Sequence, residues 1–431
     1  MSNEFRPKVL VVAEAANPEW VSVPLVGWSL AQALGRVADV HVVTQIRNRD
    51  AFLRAGMREG VDFTAIDSEA VARPLWKLGS LLSGGEGRGW TIQQAVATIT
   101  YPYFEHLVWK RFGPDIRAGR FDVVHRVTPL SPVQQSLIAA KCRRAGVPFV
   151  LGPINGGVPW PEGFKAEMAR EREWLSRLRG FYRALPGRQG TLRADAILVG
   201  SRQTMKDIPA QHHSRVIYLP ENAVDPKRFN ARAVHGGQVP MRACFIGRLV
   251  PLKGVDMLIS AAAPLLRDGR LVLEIVGDGD MMHSLRAQAA EFGAAVVFHG
   301  WKPHAQVQDI AVRCQVLAFP SIREFGGGVV LEAMALGVAP VVVDYAGPAE
   351  LVTGATGWKV PIAGRETVIA GFAERLAYCV DHPDEVAQKG AAARERVADL
   401  FTWDRKAAQI LAVYDWVLKP GSAKPEFFVS D

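Results

Sequence analysis

No run of this chain stays apolar over anything near the roughly 18–20 residues that a membrane-spanning helix needs, so an integral membrane protein is not expected. Cysteine is scarce, with four in 431 residues at positions 142, 244, 314 and 379, and no C-x-x-C pair. That spacing suits neither a zinc site nor a disulfide framework, and it fits a reducing cytoplasm. The first apolar run, Val9 to Ala13, stops at Glu14 and is too short for the core of a secretory signal. No G-x-G-x-x-G follows it, which argues against a dinucleotide-dependent enzyme. Internal repeats and low-complexity segments are also missing.

What is present is ordinary for a globular protein: 49% hydrophobic and 22% charged residues. At 431 residues the chain is too long for one core, so two domains are expected. The net charge of +8 is uneven. Residues 1–240 carry 32 Lys and Arg against 21 Asp and Glu, or +11, and residues 241–431 carry 19 against 22, or −3. A basic half fits a plain solvated surface, and equally attraction to an anionic membrane face or an anionic acceptor. Nucleic acid is not expected, because no reading motif accompanies the charge.

Short β-rich runs alternate with helical patterns throughout. Strands are expected near 8–13, 39–44, 122–125, 148–151, 196–199 and 215–219, and again near 242–246, 271–276, 296–299, 316–319 and 340–343. Helical patterns near 25–36, 68–110, 132–145 and 163–187 separate the first set. Such alternation means parallel sheets with helices on both faces, and two series imply two doubly wound α/β domains with ligands at the carboxyl ends of the strands. The polar stretch Asp225 to Pro240 is the expected break, giving domains 1–225 and 226–402. The amphipathic pattern Trp403 to Leu418 comes last, and the tail after Pro420 reads as loosely ordered.

The most informative segment is Glu324-Phe325-Gly326-Gly327-Gly328-Val329-Val330-Leu331-Glu332. Two carboxylates stand eight residues apart across a glycine run, after one strand-like run and before another. Glu324 is thus expected on a loop at a strand's carboxyl end, with Glu332 in the early turns of the next helix. Glycines let a ligand approach backbone N–H groups, and a helix N-terminus favours anions. Such a segment can hold phosphate with amides and sugar hydroxyls with carboxylates. Alone, Glu332 also fits a favourable early-helix acid, and Glu324 a solvated loop carboxylate.

Gly247-Arg248-Leu249-Val250-Pro251-Leu252-Lys253-Gly254 follows another expected strand. Two cations there, beside a helix start, suit a diphosphate, although either alone fits a surface loop. Elsewhere His125 closes the run Phe121-Asp122-Val123-Val124, and is expected at a strand's carboxyl edge; a capping or part-buried structural histidine is the plainer reading. Gly152-Pro153-Ile154-Asn155-Gly156-Gly157-Val158-Pro159-Trp160-Pro161 reads as a fixed loop, with or without a ligand. Residues 163–193 hold eight Lys or Arg interleaved with Phe164, Trp174, Leu175, Leu178, Phe181 and Tyr182. That pattern fits a membrane-surface helix, or one packed on its own domain.

Together these segments resemble glycosyltransferase family 4, retaining enzymes of the GT-B fold that use nucleotide sugars. Glu324 to Glu332 is similar to the family's E-x7-E motif and Gly247 to Gly254 to its G-R-x4-K-G motif. Asn222-Ala223-Val224-Asp225 with Phe229 resembles its interdomain N-G-V-D-x3-F, and Ile275-Val276-Gly277-Asp278-Gly279 its strand followed by G-x-G. The resemblance implies two Rossmann-like domains facing a central cleft, with the final helix (about 403–431) crossing back to the first. A nucleoside-diphosphate sugar would bind mainly the second domain, without metal or other cofactor; Asp278-x-Asp280 is read as a turn rather than a metal site. Arg248 and Lys253 would stabilise the departing diphosphate. Glu332 would hold ribose hydroxyls and Glu324 the hexose. Gly247, Gly277 and the amides of Phe325, Gly326 and Gly327 would complete the donor site, and His125 would help orient the reacting sugar.

On the acceptor side Asn155 and Trp160 are candidates. The family's Gly-Gly pair after the first strand is missing, and Glu14-Ala15-Ala16-Asn17 stands there, which leaves Gly27, at the helix start, as the remaining glycine. The implied acceptor is a sugar or a lipid-linked sugar, in assembly of a surface polysaccharide or glycolipid, with the protein peripheral on the inner membrane face. Another GT-B enzyme (a sugar-nucleotide epimerase or a phosphorylase) and a non-catalytic sugar-binding protein are the rival readings.

Overall fold

A computed structural model describes residues 6–71, 73, 74, 90–134, 136–171, 192–235 and 239–428. The described residues form two compact units. The first contains the chain up to Gly157, residues 192 to Glu221, and the segment from Trp403 onward; the second contains Val158–Glu171 and Asn222–Thr402. The expected boundary at 225/226 differs mainly in Val158–Glu171, which groups with the second unit.

The first unit is built on a seven-stranded sheet: β1 (Lys8–Ala13), β2 (Asp39–Gln45), β3 (Phe63–Ile66), β4 (Val123–Thr128), β5 (Phe149–Ile154), β6 (Ala196–Val199) and β7 (Val216–Tyr218). Their order is β3-β2-β1-β4-β5-β6-β7, with every pairing parallel. Helices cover both faces, which is why β1, β5 and β6 are almost continuously apolar and buried, while β4 is buried throughout although it carries His125, Arg126 and Thr128. On one face the helix Trp90–Arg117 presents Tyr101, Phe104, Val108, Phe112 and Ile116, a helical spacing, to Leu10, Val124 and Leu151. The opposite face is covered by the helices Val23–Val37 and Trp403–Leu418, through Leu30, Leu34, Ile410, Val413 and Tyr414.

The tail is not loose. Phe427 and Phe428 pack on this second core, Phe428 lies 5.3 Å edge-on to Tyr218, and Lys424 donates to the Val216 carbonyl. Two phenylalanines in the last few residues give it enough apolar surface to dock.

The second unit has six strands: β8 (Met241–Ile246), β9 (Leu271–Val276), β10 (Val296–Gly300), β11 (Val316–Phe319), β12 (Ala339–Val343) and β13 (Trp358–Val360). They run parallel in the order β10-β9-β8-β11-β12-β13. The strand order in each sheet therefore reverses beside its first strand, between β1 and β4 and between β8 and β11. Connections leave to opposite faces there, opening a crevice at the carboxyl ends where ligands of doubly wound folds sit. Of the helical pattern expected over 68–110, the structure shows the helix Trp90–Arg117, and residues 72 and 75–89 lie outside the described residues. Among the described residues no helix is long and apolar enough to cross a membrane. Most of the basic 163–193 segment lies outside the described residues; in the helix Lys165–Arg170 and the residue before it, Phe164 and Glu167 are buried while Lys165 and Arg170 are exposed.

Candidate functional site

The carboxyl ends of β8 and β11 bring together the two segments that stood out in the sequence. After β8 the chain passes Gly247 and Arg248, makes a short 3-10 turn over Pro251–Lys253, and enters the helix Val255–Arg267 through Gly254. Gly254 is left-handed at φ 68°, and a Cβ there would meet the Pro320 carbonyl oxygen at 2.7 Å. Only glycine suits both demands. The β11 loop is stitched to this turn by the Ile322 amide, which donates to the Leu252 carbonyl at 3.0 Å. Gly327, also left-handed, starts the helix Gly328–Ala335.

A second pair of glycines has a packing reason. Gly277 follows β9 at φ 141°, and a Cβ on it would run into the Gly247 carbonyl oxygen. The Gly247 and Leu249 amides donate to the Val276 and Asp278 carbonyls at 2.9 Å each. The loops after β8 and β9 thus lie backbone against backbone, and Gly277 holds the Arg248 loop in place.

Within this frame Lys253 and Glu324 form an ion pair, and the Lys253 ammonium lies 5.0 Å from the centre of the Phe319 ring. Both are mostly shielded from solvent, at 13% and 22% side-chain exposure, which strengthens their attraction. Arg248 is exposed and, among the described residues, engages no carboxylate. It is therefore the cation free to meet an incoming anion, whereas Lys253 must exchange one carboxylate for another negative group. Glu332 is the fifth residue of its helix, one turn deeper than the glycines. Burial pushes its carboxyl up to about 7, against the opposing pull of the Arg228 guanidinium. The glycine run is also held from behind: the Gly347 amide donates to the Glu324 carbonyl at 3.3 Å.

Sequence reasoning missed Arg323. It is 4% exposed, its Nε donates to the Val158 carbonyl at 3.1 Å, and its guanidinium lies between the rings of Trp160 (5.2 Å) and Phe325 (5.3 Å). The only hint in the sequence was an arginine next to Glu324, which says nothing of a partner 163 residues earlier. Trp160, a candidate for acceptor or sugar contact, is thus placed in the second unit against Arg323.

Residues 235–396 match the family model described as glycosyl transferases group 1. The chain is 30% identical over 217 residues to 2-deoxystreptamine glucosyltransferase of Streptomyces kanamyceticus, covering 47% of this chain and 55% of that protein. It is 26% identical to the putative colanic acid biosynthesis glycosyltransferase WcaL of Salmonella typhimurium, covering 74% of this chain and 72% of that one. Against most of the curated relatives that it matches, the chain spans about half their length. The structure of Anabaena HepE in complex with UDP and glucose matches with a TM-score of 0.59 and 17% identity, over 95% of this chain and all of the other. The fold is GT-B.

In the first unit of this GT-B chain the candidate residues are engaged in the fold. His125 does not end its strand: β4 continues through Thr128. The ring is fully buried, with Nδ1 2.6 Å from the Tyr414 hydroxyl and Nε2 2.7 Å from the Gly152 carbonyl oxygen. Burial lowers its pKa to about 4, so it stays neutral, and both nitrogens are used within the unit. The expectation of His125 at the carboxyl edge of its strand, placed to orient a sugar, is corrected on these grounds.

Asn155 is likewise buried: its amide donates to the Glu221 carboxylate at 2.9 Å and its oxygen accepts from the Gly156 amide and the Ser201 hydroxyl. It joins the ends of β5 and β6 to the residue that closes the first unit. Gly27 lies one turn inside its helix rather than at the start; a Cβ there would collide with the Ala15 carbonyl oxygen. The Ala15 amide and carbonyl in turn exchange hydrogen bonds of 3.0 Å with the Thr128 hydroxyl. Gly27 therefore lets the first helix approach the β1/β4 crevice closely, with or without a ligand.

Proposed function

We propose that this protein is a retaining glycosyltransferase that moves a sugar from a nucleoside-diphosphate sugar to an acceptor hydroxyl, in assembly of a surface polysaccharide or glycolipid. The observation that carries the reading is the exposed, unpaired Arg248 beside the Lys253–Glu324 ion pair, at the β8/β11 crevice of a GT-B fold. The names of the relatives support glycosyl transfer, and the one for colanic acid biosynthesis also supports a polysaccharide product, whereas the one for 2-deoxystreptamine names a small acceptor.

In this reading the donor diphosphate meets Arg248 first and then draws Lys253 away from Glu324. The freed carboxylate can accept from hexose hydroxyls, so one event arms both residues. The bond between the anomeric carbon and the diphosphate oxygen breaks, and the diphosphate leaves with the electron pair. The acceptor oxygen bonds to the same face of the anomeric carbon, and its proton passes to the departing phosphate oxygen. Negative charge grows on the diphosphate along this path, so fixed cations bind the transition state more tightly than the ground state. Glu332 would accept from the ribose hydroxyls. No metal or other cofactor is needed.

The test is turnover against UDP-, GDP-, ADP- and TDP-sugars. Arg248→Ala should lower kcat by roughly 10²–10³ and leave the melting temperature unchanged, since the side chain is exposed and unpaired. Unaltered turnover in that variant would remove Arg248 from the mechanism.

A further inference from the structure

Residues Val158–Glu171 precede the rest of the second unit by 50 residues, yet they touch the segments that follow β8, β11, β12 and β13. Arg323, in the loop after β11, donates to the Val158 carbonyl and lies between Trp160 and Phe325. Tyr345, after β12, donates its hydroxyl to the Pro159 carbonyl at 2.9 Å. The Leu252 amide, in the turn after β8, donates to the Glu171 carboxylate at 3.2 Å. Arg365, after β13, reaches Glu167 at 3.6 Å and Asp256 at 2.8 Å. Four loops of one sheet edge are therefore tied to one short segment. The tie at Arg323 immediately precedes the carboxylate that pairs with Lys253.

We propose that Val158–Glu171 is a strap that sets the shape of the donor loops, with Arg323 as the positioning residue through which it acts on Glu324 and Phe325. The inference rests on the donor site proposed above. A buried guanidinium held in one plane by two rings and one carbonyl fixes the backbone of residue 323 in direction as well as position. Glu324 and Phe325 follow directly and inherit that direction. Trp160 belongs to this device as one of its walls, so its contribution to the reaction is indirect. The strap bears on the hexose end of the donor, where Glu324 lies, and not on the diphosphate contact of the exposed Arg248.

The full-length chain is titrated with UDP, GDP, ADP and TDP and with the glucose conjugate of whichever nucleotide stabilises it, comparing Trp160→Ala, Arg323→Lys and the milder Tyr345→Phe. The expected result is about tenfold weaker binding of the nucleotide sugar in Trp160→Ala and Arg323→Lys, with the bare nucleotide changed less than about twofold. The double variant should be no worse than the weaker single, because both break one device. A purely structural role would lower the melting temperature and leave the ratio of the two affinities unchanged; an unchanged ratio in the folded variants overturns the strap and leaves the donor site standing. If Trp160→Ala does not fold, an unchanged ratio in Arg323→Lys and Tyr345→Phe decides the same way. Failure of every nucleotide to bind the unmodified chain overturns the donor site and the strap with it.

Discussion

Three buried or half-buried side chains show how environment, more than residue type, assigns a role. His125 has the chemistry of a general acid or base, but burial keeps it neutral down to about pH 4, against the opposing pull of the Gly152 carbonyl, and both ring nitrogens are engaged within the unit. It offers no titration near neutrality. Glu332 is the reverse case. Its carboxyl is pushed up to about 7 from an ordinary value of 4.5, so the folded chain holds this proton more tightly than the unfolded chain does. Its contribution to stability is then largest below pH 4.5 and is lost as pH rises towards 7. Glu332→Gln should flatten that slope and raise the melting temperature at pH 8 by roughly 2–4 °C for each kcal/mol recovered. Melting curves between pH 5 and 8 check this, and parallel slopes in the two proteins would reject it. Arg323, finally, is buried beside residues that sequence alone kept apart.

At the level of elements, two glycines of positive φ differ in the room that an added side chain would find. Gly269 (φ 67°) has nothing within 4 Å of an added Cβ, whereas at Gly277 (φ 141°) that atom would enter the Gly247 carbonyl. Gly269→Ala should cost about 1 kcal/mol, and Gly277→Ala about 2–3 kcal/mol or more, with loss of nucleotide binding, because the Arg248 loop must move. Urea unfolding of both variants tests the difference. The long Val/Ile/Leu runs were legible as strands because parallel strands are buried on both faces, and their alternation with helices gave the two doubly wound units. The edge strands Phe63–Ile66 and Trp358–Val360 were not, being only four and three residues long with solvent-facing positions. For the candidate site, the placement of Gly247, Arg248, Lys253 and Glu324 after β8 and β11, and of Glu332 in the next helix, was legible because each follows directly on its own strand. The strap was not, since Trp160 and Arg323 are joined only in space, and neither was the internal use of His125 and Asn155, whose partners Tyr414 and Glu221 lie far along the chain.

At the scale of the molecule, a donor that binds only the folded chain should raise its apparent stability by about 2.7 kcal/mol at a hundredfold excess over Kd. Both that shift and turnover should survive a chelator such as EDTA; a loss reversed by added magnesium would show that the diphosphate needs a metal in addition to Arg248 and Lys253. The division of the chain between the units has one further outcome, for the moment of its synthesis. Strands β1 to β7 have all been synthesised by residue 218, but Ile410, Val413 and Tyr414, which complete one face of that sheet and cap His125, come after the entire second unit. At 5–20 residues per second the delay is on the order of 10–40 s. The second unit, whose strap is already made, is the one able to finish first, while the nascent first unit waits with an apolar face uncovered and open to chaperones.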